Sequence, residues 1–333
     1  MRKPTEVHIV LYEGFQALDA TAALAVFEHT NMLLRRLGLS EHYAVSFVAS
    51  RVGPVHSSSV VELLATSAIA ANSLPDAAIV VGAFEIEEAL LAEPSLINWL
   101  AQQGTRLRRL ASLCTGSYFL AEAGLLDHKR ATTHWNHAQR MQQRYPLVEV
   151  DAEPIYVRQG NIITSAGVTA GIDLALSFVE EDLGREIALQ VARDLAVFLK
   201  RPGEHSQFSM YLQSQMIADP VIRDLQEWIL ASLDQPLSPN RLAKHANMSP
   251  DELDRLFREH AGVAPAEFIL TARFELARAL LEDPDASMSL AAMRCGFGTV
   301  GKMSQAFLSR MGVDAATYRA RLLKRNALSG GSR

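Results

Sequence analysis

The chain has 333 residues, 49% of them hydrophobic, and a formal net charge of -5, which is enough length for two domains with buried cores. Its two cysteines, Cys114 and Cys295, are too few for a disulfide framework. No segment approaches the roughly 18 uninterrupted apolar residues of a membrane span, and no Cys-x-x-Cys spacing indicates a zinc site. We therefore expect a cytoplasmic protein without a metal or a cofactor.

Short β-branched runs alternate with helical stretches over residues 1–199. Strands are predicted at Val7–Leu11, Tyr43–Ala49, Ala77–Val81 and Arg109–Leu113, and helices at Ala17–Leu37, Leu91–Gln103 and Ser117–Ala123. Strands separated by helices at this pitch predict parallel βαβ units, and hence an α/β domain with a doubly wound, mostly parallel sheet. In such a sheet the ligand site lies at the carboxyl ends of the strands.

Polar and reactive side chains follow two of these strands and one further short run. Cys114, with Thr115 beside it, stands where an apolar strand turns directly into a helix. A thiol on such a turn lies near the helix N-terminus, where the dipole lowers its pKa. Asp19 lies just beyond the first strand, and His134 and Trp135 follow the short run Lys129–Ala131. A cysteine, a histidine and an acid at strand ends could form a catalytic arrangement in which the histidine orients or deprotonates the thiol.

These positions make the N-terminal domain resemble the PfpI-like branch of the class I glutamine amidotransferase fold, as it occurs in GlxA-like regulators fused to AraC-type modules. The matching segments are Ala131–Trp135, Ser165–Asp173 and Arg201–Gly203, over about residues 5–208. The resemblance implies that Asp19 and His134 lie with the cysteine at the family's pocket.

Several departures from the hydrolytic relatives favour a ligand site over a catalytic one. Thr115 stands where PfpI-type hydrolases place a histidine, and Gly82-Ala83 replaces the Gly-Gly turn that helps to place an oxyanion-hole amide. Ala25 stands where relatives commonly carry a glutamate. We therefore predict no catalytic residue and no enzyme, and we assign ligand binding to Asp19, Cys114, Thr115, His134 and Trp135. Two structural alternatives remain open, namely a cysteine that is a small buried hydrophobe and a histidine packed as a core imidazole.

The second half of the chain is separated from the first by a polar interruption. Proline and glycine at Arg201–Gly203 limit helix continuation, so we predict a linker at 200–217. An all-α DNA-binding domain is predicted at 218–325, and the low-complexity end at 326–333 is predicted to be a disordered tail.

The C-terminal domain contains the same structural unit twice, at an offset of 50 residues. Leu253 corresponds to Met303, Phe257 to Phe307, Gly262-Val263 to Gly312-Val313 and Phe268 to Tyr318. Ser238-Pro239 and Ser249-Pro250 predict two helix starts, because serine is a favoured N-cap and proline a favoured first helical residue. The second copy is predicted to run from Ser289 to Arg294, turn, and resume at Thr299. Each copy is therefore a predicted helix-turn-helix, and Pro265–Leu281 is a helix that could bridge them.

This repeat resembles the DNA-binding module of AraC/XylS-type regulators. The segment Arg294–Gly298, with Phe307, Gly312-Val313 and Tyr318, is close to the signature of that family. From residue 218 onward the chain carries 15 Lys and Arg against 14 Asp and Glu, so a local patch must provide the attraction to DNA. A helical bundle used only for dimerisation is the alternative that this balance leaves open.

The predicted DNA contacts lie on the second helix of each unit and at its N-terminal end. They are Ser249, Asp251, Arg255 and Arg258 in the first unit, and Thr299, Lys302, Ser304 and Gln305 in the second. A carboxylate can accept from cytosine N4 but is repelled by phosphate.

Together these features predict a ligand-responsive transcription regulator, associated with the nucleoid in the cytoplasm, that binds operator or promoter DNA. The resemblance further implies a homodimer and an activator. Its effector is expected to be a small nitrogenous metabolite, and RNA polymerase is a further candidate partner of an activator. The rival hypothesis is a cysteine-dependent hydrolase or glyoxalase-like enzyme with an appended DNA-binding module. A third is a scaffold whose helical module has lost DNA binding.

Overall fold

The structure is a computed structural model that describes residues 3–69, 74–197, 214, 217–281 and 286–321. The chain divides into two compact units, Met1–Gln207 and Phe208–Arg333. The predicted linker at 200–217, apart from residues 214 and 217, and the predicted tail at 326–333 lie outside the described residues.

The first unit alternates strands and helices as the sequence predicts. Its strands are β1 (Thr5–Val10), β2 (Tyr43–Ala49), β3 (Gly53–His56), β4 (Glu62–Ala65), β5 (Ser67–Ala68), β6 (Ala77–Val80), β7 (Arg109–Ser112), β8 (Arg130–Ala131), β9 (Glu149–Val150), β10 (Tyr156–Gln159) and β11 (Ile162–Ser165). Its helices are α1 (Ala17–Arg36), α2 (Ile86–Ala92), α3 (Pro94–Gln103), α4 (Ser117–Glu122), α5 (Trp135–Arg144), α6 (Ala170–Leu183) and α7 (Arg185–Asp194).

A mostly parallel sheet forms the centre of this unit. Within the described residues it has seven strands in the order β10-β11-β7-β6-β1-β2-β5, and only the β10–β11 pair is antiparallel. Every residue of β6 and β7 is buried, as expected for strands covered on both faces. The order reverses at β1, which lies between β2 and β6, and in sheets of this kind a ligand crevice is expected beyond the carboxyl ends of the strands at such a point. The predicted doubly wound α/β fold is confirmed.

One predicted helix is wrong in detail. The stretch Leu91–Gln103 is two helices, because α2 ends at Ala92 and α3 begins at Pro94. Glu93 between them has φ -120 and ψ 51, outside the helical region. Proline lacks the amide that would continue the first helix and disfavours helical geometry in the residue before it.

The second unit is helical throughout its described elements. They are α8 (Pro220–Ala231), α9 (Pro239–His245), α10 (Pro250–Ala261), α11 (Pro265–Leu281), α12 (Met288–Arg294) and α13 (Val300–Met311). Two separate apolar clusters hold them together. Helix α11 belongs to both, since Phe268 and Ile269 pack in the first cluster and Phe274 and Leu281 in the second. The predicted bridging helix is confirmed.

The internal repeat is also visible in the backbone. Helices α10 and α13 each have 12 residues, lie 50 positions apart, and end at glycines in the left-handed region, Gly262 and Gly312. Ser238 and Ser249 cap α9 and α10 as predicted. The second copy starts earlier than Ser289, because Ser287 is the N-cap of α12 and accepts a hydrogen bond from the Leu290 amide at 3.1 Å.

Candidate functional site

Four segments of the first unit meet around Cys114. Asp19 comes from the first turn of α1, Gly82 follows β6, the cysteine follows β7, and Gly167 follows β11. All lie in or beside the crevice at the carboxyl ends of the strands, where the sheet topology places a ligand site.

Cys114 has a strained backbone between two glycines. Its φ of 52 lies in the left-handed region, which costs an L-residue about 1–3 kcal/mol. A Cβ on Gly82 would lie 2.6 Å from the Cys114 Cβ, and a Cβ on Gly167 only 2.2 Å from it. Both neighbours must therefore be glycine for the turn to keep this shape. Strain of this kind is concentrated at functional sites.

Asp19 fastens two loops to each other beside the cysteine. Its carboxylate accepts a hydrogen bond from the Gly82 amide at 2.9 Å and another from the Val168 amide at 2.7 Å. Val168 itself has a φ of 49, a costly conformation for a β-branched residue. The Asp19 side chain has no exposed surface, and burial raises its pKa to about 6 although both amides favour the ionised form. These contacts differ from the direct ligand contact that the sequence predicts, because both oxygens hold the protein's own backbone.

Thr115 is also used internally. Its hydroxyl donates to the Ala83 carbonyl at 2.6 Å and accepts from the Ala83 amide at 2.8 Å, and the residue is fully buried. The position predicted to contact ligand therefore joins the loop after β6 to the turn after β7. The Thr115 hydroxyl thus makes both of these hydrogen bonds to the backbone of Ala83.

The thiol of Cys114 is not activated by these surroundings. Burial, and then the nearby charge of Asp19, raises its pKa to about 12. The sequence argument predicted the opposite direction from the helix N-terminus, but loss of hydration outweighs the attraction of a few backbone dipoles. Cys114 is consequently a protonated thiol at neutral pH.

His134 and Trp135 begin α5 beside this turn. His134 is the N-cap, and its Nδ1 accepts from the Asn136 amide at 3.4 Å. Its ring centroid lies 5.6 Å from that of Trp135 and 6.0 Å from that of His137. Burial, followed by the charge of His137, lowers the pKa of His134, so it is neutral at pH 7. Trp135 is 47% exposed and presents an aromatic surface to solvent.

The histidine segment is joined to the cysteine through the backbone. Thr133 Oγ1 donates to the Cys114 carbonyl at 3.0 Å, and Ser117 Oγ donates to the same oxygen at 3.2 Å. Within the described residues no hydrogen bond connects the Cys114 thiol with the His134 imidazole. Sequence reasoning missed both hydroxyls, although Thr133 stands directly before the predicted histidine.

Among the described residues, no group of three or more His, Cys, Asp or Glu side chains could hold a metal ion. No helix among those residues is both long enough and apolar enough to cross a membrane.

The recognition helix of the first DNA-binding unit, α10, carries its arginines in ion pairs. Arg258 Nε lies 2.7 Å from an Asp254 oxygen, and Arg255 Nη1 lies 3.1 Å from a Glu259 oxygen. Asp251, at the start of the same helix, is exposed. With four carboxylates against two arginines, α10 presents an acidic surface. Ser249 is exposed and caps the helix, with its Oγ accepting from the Glu252 amide at 3.3 Å.

The second recognition helix, α13, has the opposite character. It contains no acidic residue, and Lys302 and Gln305 are exposed on it while Ser304 is half-buried. Thr299 caps it by accepting from the Lys302 amide at 3.3 Å. In the first unit, further exposed positive charge lies on α9, at Arg241 and Lys244, which the sequence argument did not select. The acidic residues of the two recognition helices are therefore unequally divided, with four on α10 and none on α13.

Comparison with known proteins agrees with both halves of this geometry. Residues 5–181 match the DJ-1/PfpI family, and residues 242–321 match a helix-turn-helix domain. The HTH-type transcriptional regulator CdhR of Pseudomonas aeruginosa is 31% identical over 311 residues, which cover 93% of this chain and 90% of that protein. The chain belongs to the DJ-1/PfpI family. Its helical unit makes it an AraC-type regulator, which confirms the predicted resemblance and the predicted role in transcription.

Other proteins are similar to only part of the chain. A crystal structure of an AraC family transcriptional regulator from Pseudomonas putida shares this fold with a TM-score of 0.51 at 23% identity, covering 58% of this chain and all of that chain. An isonitrile hydratase of Pseudomonas putida is 34% identical over 190 residues, which cover 57% of this chain and 77% of the enzyme. The chain is therefore similar both to regulators and to an enzyme, and the geometry of the site must distinguish the two roles.

Proposed function

We propose that this DJ-1/PfpI regulator senses a small nitrogenous metabolite in the crevice beside Cys114 and turns over no substrate. The observation that carries the proposal is the convergence of three loops on one strained residue. The loops after β6, β8 and β11 reach the Cys114 turn through Gly82, Thr133 and Gly167. A ligand with different affinity for two arrangements of these loops would shift their populations, as a sensor requires.

The chemistry of the crevice favours a cationic or amide-bearing ligand. Trp135 offers an exposed aromatic face, on which a cation is attracted by the ring. His134 is a neutral ring able to donate or accept a hydrogen bond. The buried carboxyl of Asp19 adds negative potential without being a contact. We retain Cys114, His134 and Trp135 as the proposed ligand contacts.

The second helix-turn-helix is proposed to supply more of the phosphate attraction than the first. Lys302 is exposed on a helix without carboxylates, whereas Arg258 must leave Asp254 before it can pair with phosphate. The proposal also includes a homodimer in the cytoplasm, associated with the nucleoid, that activates transcription through RNA polymerase.

Binding of full-length protein to duplex DNA at several salt concentrations tests this proposal. The probe is a duplex that the wild type selects from a randomised pool. Lys302→Ala is expected to weaken binding and to reduce the slope of log affinity against log salt by about 1, because one phosphate contact is lost. Arg258→Ala, the matched control on the other recognition helix, should leave the slope almost unchanged. An equal loss of slope in both variants would contradict the proposal that α13 supplies more of the phosphate contacts than α10.

Catalysis remains a second candidate because of the shape of the Cys114 turn. A nucleophile on a strained strand-to-helix turn is typical of hydrolases, and the isonitrile hydratase is a relative. Against it stand the raised pKa of the thiol and the lack of a described hydrogen bond from that thiol to His134. A thiol without an activating base is a poor nucleophile at neutral pH.

Alkylation by iodoacetamide separates the sensor from the enzyme. In a Cys295→Ala background, Cys114 is expected to react at least about a hundredfold more slowly at pH 7 than free cysteine, because the thiolate fraction is small. Asp19→Asn should accelerate the reaction, since it removes the neighbouring charge that helps to raise the pKa. Rapid alkylation near neutral pH of the Cys295→Ala variant, in which Asp19 is unchanged, would favour the enzyme hypothesis.

A further inference from the structure

We propose that Gly301 is a DNA-contact position, at which the missing side chain lets recognition helix α13 lie closer to the duplex than any other residue would allow. The inference rests on DNA binding by the second helix-turn-helix unit. It concerns the depth at which α13 enters the groove, and hence which bases its polar side chains can reach.

Among the described residues, no contact inside the protein requires a glycine at position 301. Gly301 lies inside α13 with an ordinary helical backbone, and no described atom is within 4 Å of the place where a Cβ would stand. Gly296 and Gly312 differ, because each has a positive φ that other residues rarely adopt. A glycine inside a helix lowers stability relative to alanine. Residue 301 therefore weakens its own helix without relieving strain or crowding.

The internal repeat shows whether the helix-turn-helix motif itself requires a glycine at this position. Position 301 corresponds at the offset of 50 to Asp251, the second residue of α10. Asp251 is exposed, so the same place in the same motif accepts a side chain. The helix-turn-helix architecture thus imposes no glycine at this position.

The neighbours of Gly301 are those expected at a DNA surface. Thr299 and Lys302 are exposed on either side of it, and Gln305 is exposed one turn further along. The N-terminal residues of a recognition helix are the ones that meet base edges in the major groove. A bare backbone between a hydroxyl and an ammonium group leaves room for the DNA to approach both. At the corresponding place in the first unit, a carboxylate would repel phosphate.

Substitution at residue 301 separates a contact role from a structural one. We expect Gly301→Ala to keep or raise the melting temperature, since alanine favours the helix, and to weaken binding to the selected duplex by about tenfold or more. Gly301→Asp should weaken it further by adding charge repulsion. Glu259→Ala, which removes an exposed carboxylate near the end of α10, is the control in the first unit and should not weaken binding.

Each other outcome has a definite meaning. Wild-type affinity in Gly301→Ala would overturn the inference and leave DNA binding intact. A lowered melting temperature in that variant would assign the glycine a structural role and also overturn it. If the wild type selects no duplex from the pool, DNA binding by this chain fails, and the inference fails with it.

Discussion

Replacing Gly296 with alanine is expected to destabilise the helical unit by more than about 4 kcal/mol and to abolish DNA binding. A Cβ at this position would lie 1.8 Å from the Leu233 carbonyl oxygen and 2.7 Å from Arg273 Nε. The φ of Gly296 is +76, so an L-residue would also be strained. Backbone cannot move aside as a flexible side chain can, because Arg273 Nε itself donates to that carbonyl at 3.0 Å.

The neighbouring Gly298 is a matched control for this experiment. Its φ is +74, but no described atom lies within 4 Å of its Cβ position. Gly298→Ala therefore suffers only the backbone strain, about 1–2 kcal/mol. Chemical denaturation of both variants, with circular dichroism as the signal, measures the difference. Equal stability of the two would show that the contact between Gly296 and Leu233 is not as close as the structure indicates.

Asp182→Ala is expected to destabilise the first unit by about 3 kcal/mol, because a buried guanidinium loses its two closest carboxylate contacts and keeps only the one with Glu181 at 3.1 Å. Both Asp182 oxygens lie 2.7 Å from the Arg109 guanidinium, and the Tyr43 hydroxyl donates to one of them at 3.0 Å. The side chains of Asp182 and Arg109 are only 3% and 8% exposed. The arginine also lies over the Phe178 ring, 4.8 Å from its centroid. This group of contacts fastens α6 to the sheet.

The Asp182 carboxylate should also affect how the free energy of unfolding depends on pH. Hydrogen bonds and charge from Arg109 outweigh burial and lower the pKa of Asp182 below its ordinary value of 3.8. Its stabilisation is therefore complete above that value and is lost as the pH falls through the lower folded-state pKa. Asp182→Ala should remove this acid-side loss. Glu41→Ala, which breaks the exposed ion pair with Arg35, is the control and should change little. A similarly small decrease in the free energy of unfolding in both variants would contradict the claim that the buried ion pair stabilises more than the exposed one.

Asp19 affects the free energy of unfolding in a different pH range from Asp182, and in the opposite direction. Because burial raises its folded-state pKa from 3.8 to about 6, the ionised form is disfavoured in the folded protein. Between pH 3.8 and about 6 the Asp19 carboxyl keeps its proton in the folded protein but loses it in the unfolded chain. The free energy of unfolding therefore decreases as the pH rises through this range. The two buried aspartates of this unit thus act in opposite directions, since one has a cation beside it and the other has only amides.

Much of the fold follows from local sequence signals. Ser238 and Ser249 are helix caps because a serine oxygen can accept from an amide only three residues ahead. Gly262 and Gly312 end their helices because glycine enters the left-handed region at little cost. Such interactions span a few residues, so a pattern of residue types is sufficient to predict them. The alternation of buried strands with helices is equally local, and it predicts the sheet.

The chemistry of the site depended on distant residues. Asp19 meets amides 63 and 149 positions away, and Thr115 meets a backbone group 32 positions away. The sequence selected these residue types but showed neither partner, so it assigned both to ligand. It also predicted a lowered thiol pKa for Cys114, because the helix start is visible in the sequence whereas burial is not.

The sequence by itself determined the two domain types, the repeat and the family, since these rest on residue spacing along the chain. Only the tertiary structure decided which polar groups are already used inside the protein and which ionisable groups are desolvated. Burial and desolvation depend on residues that are distant along the chain, such as Asp19 and Val168. The same dependence made Gly301 recognisable, because a glycine is informative only when its surroundings are known to be empty.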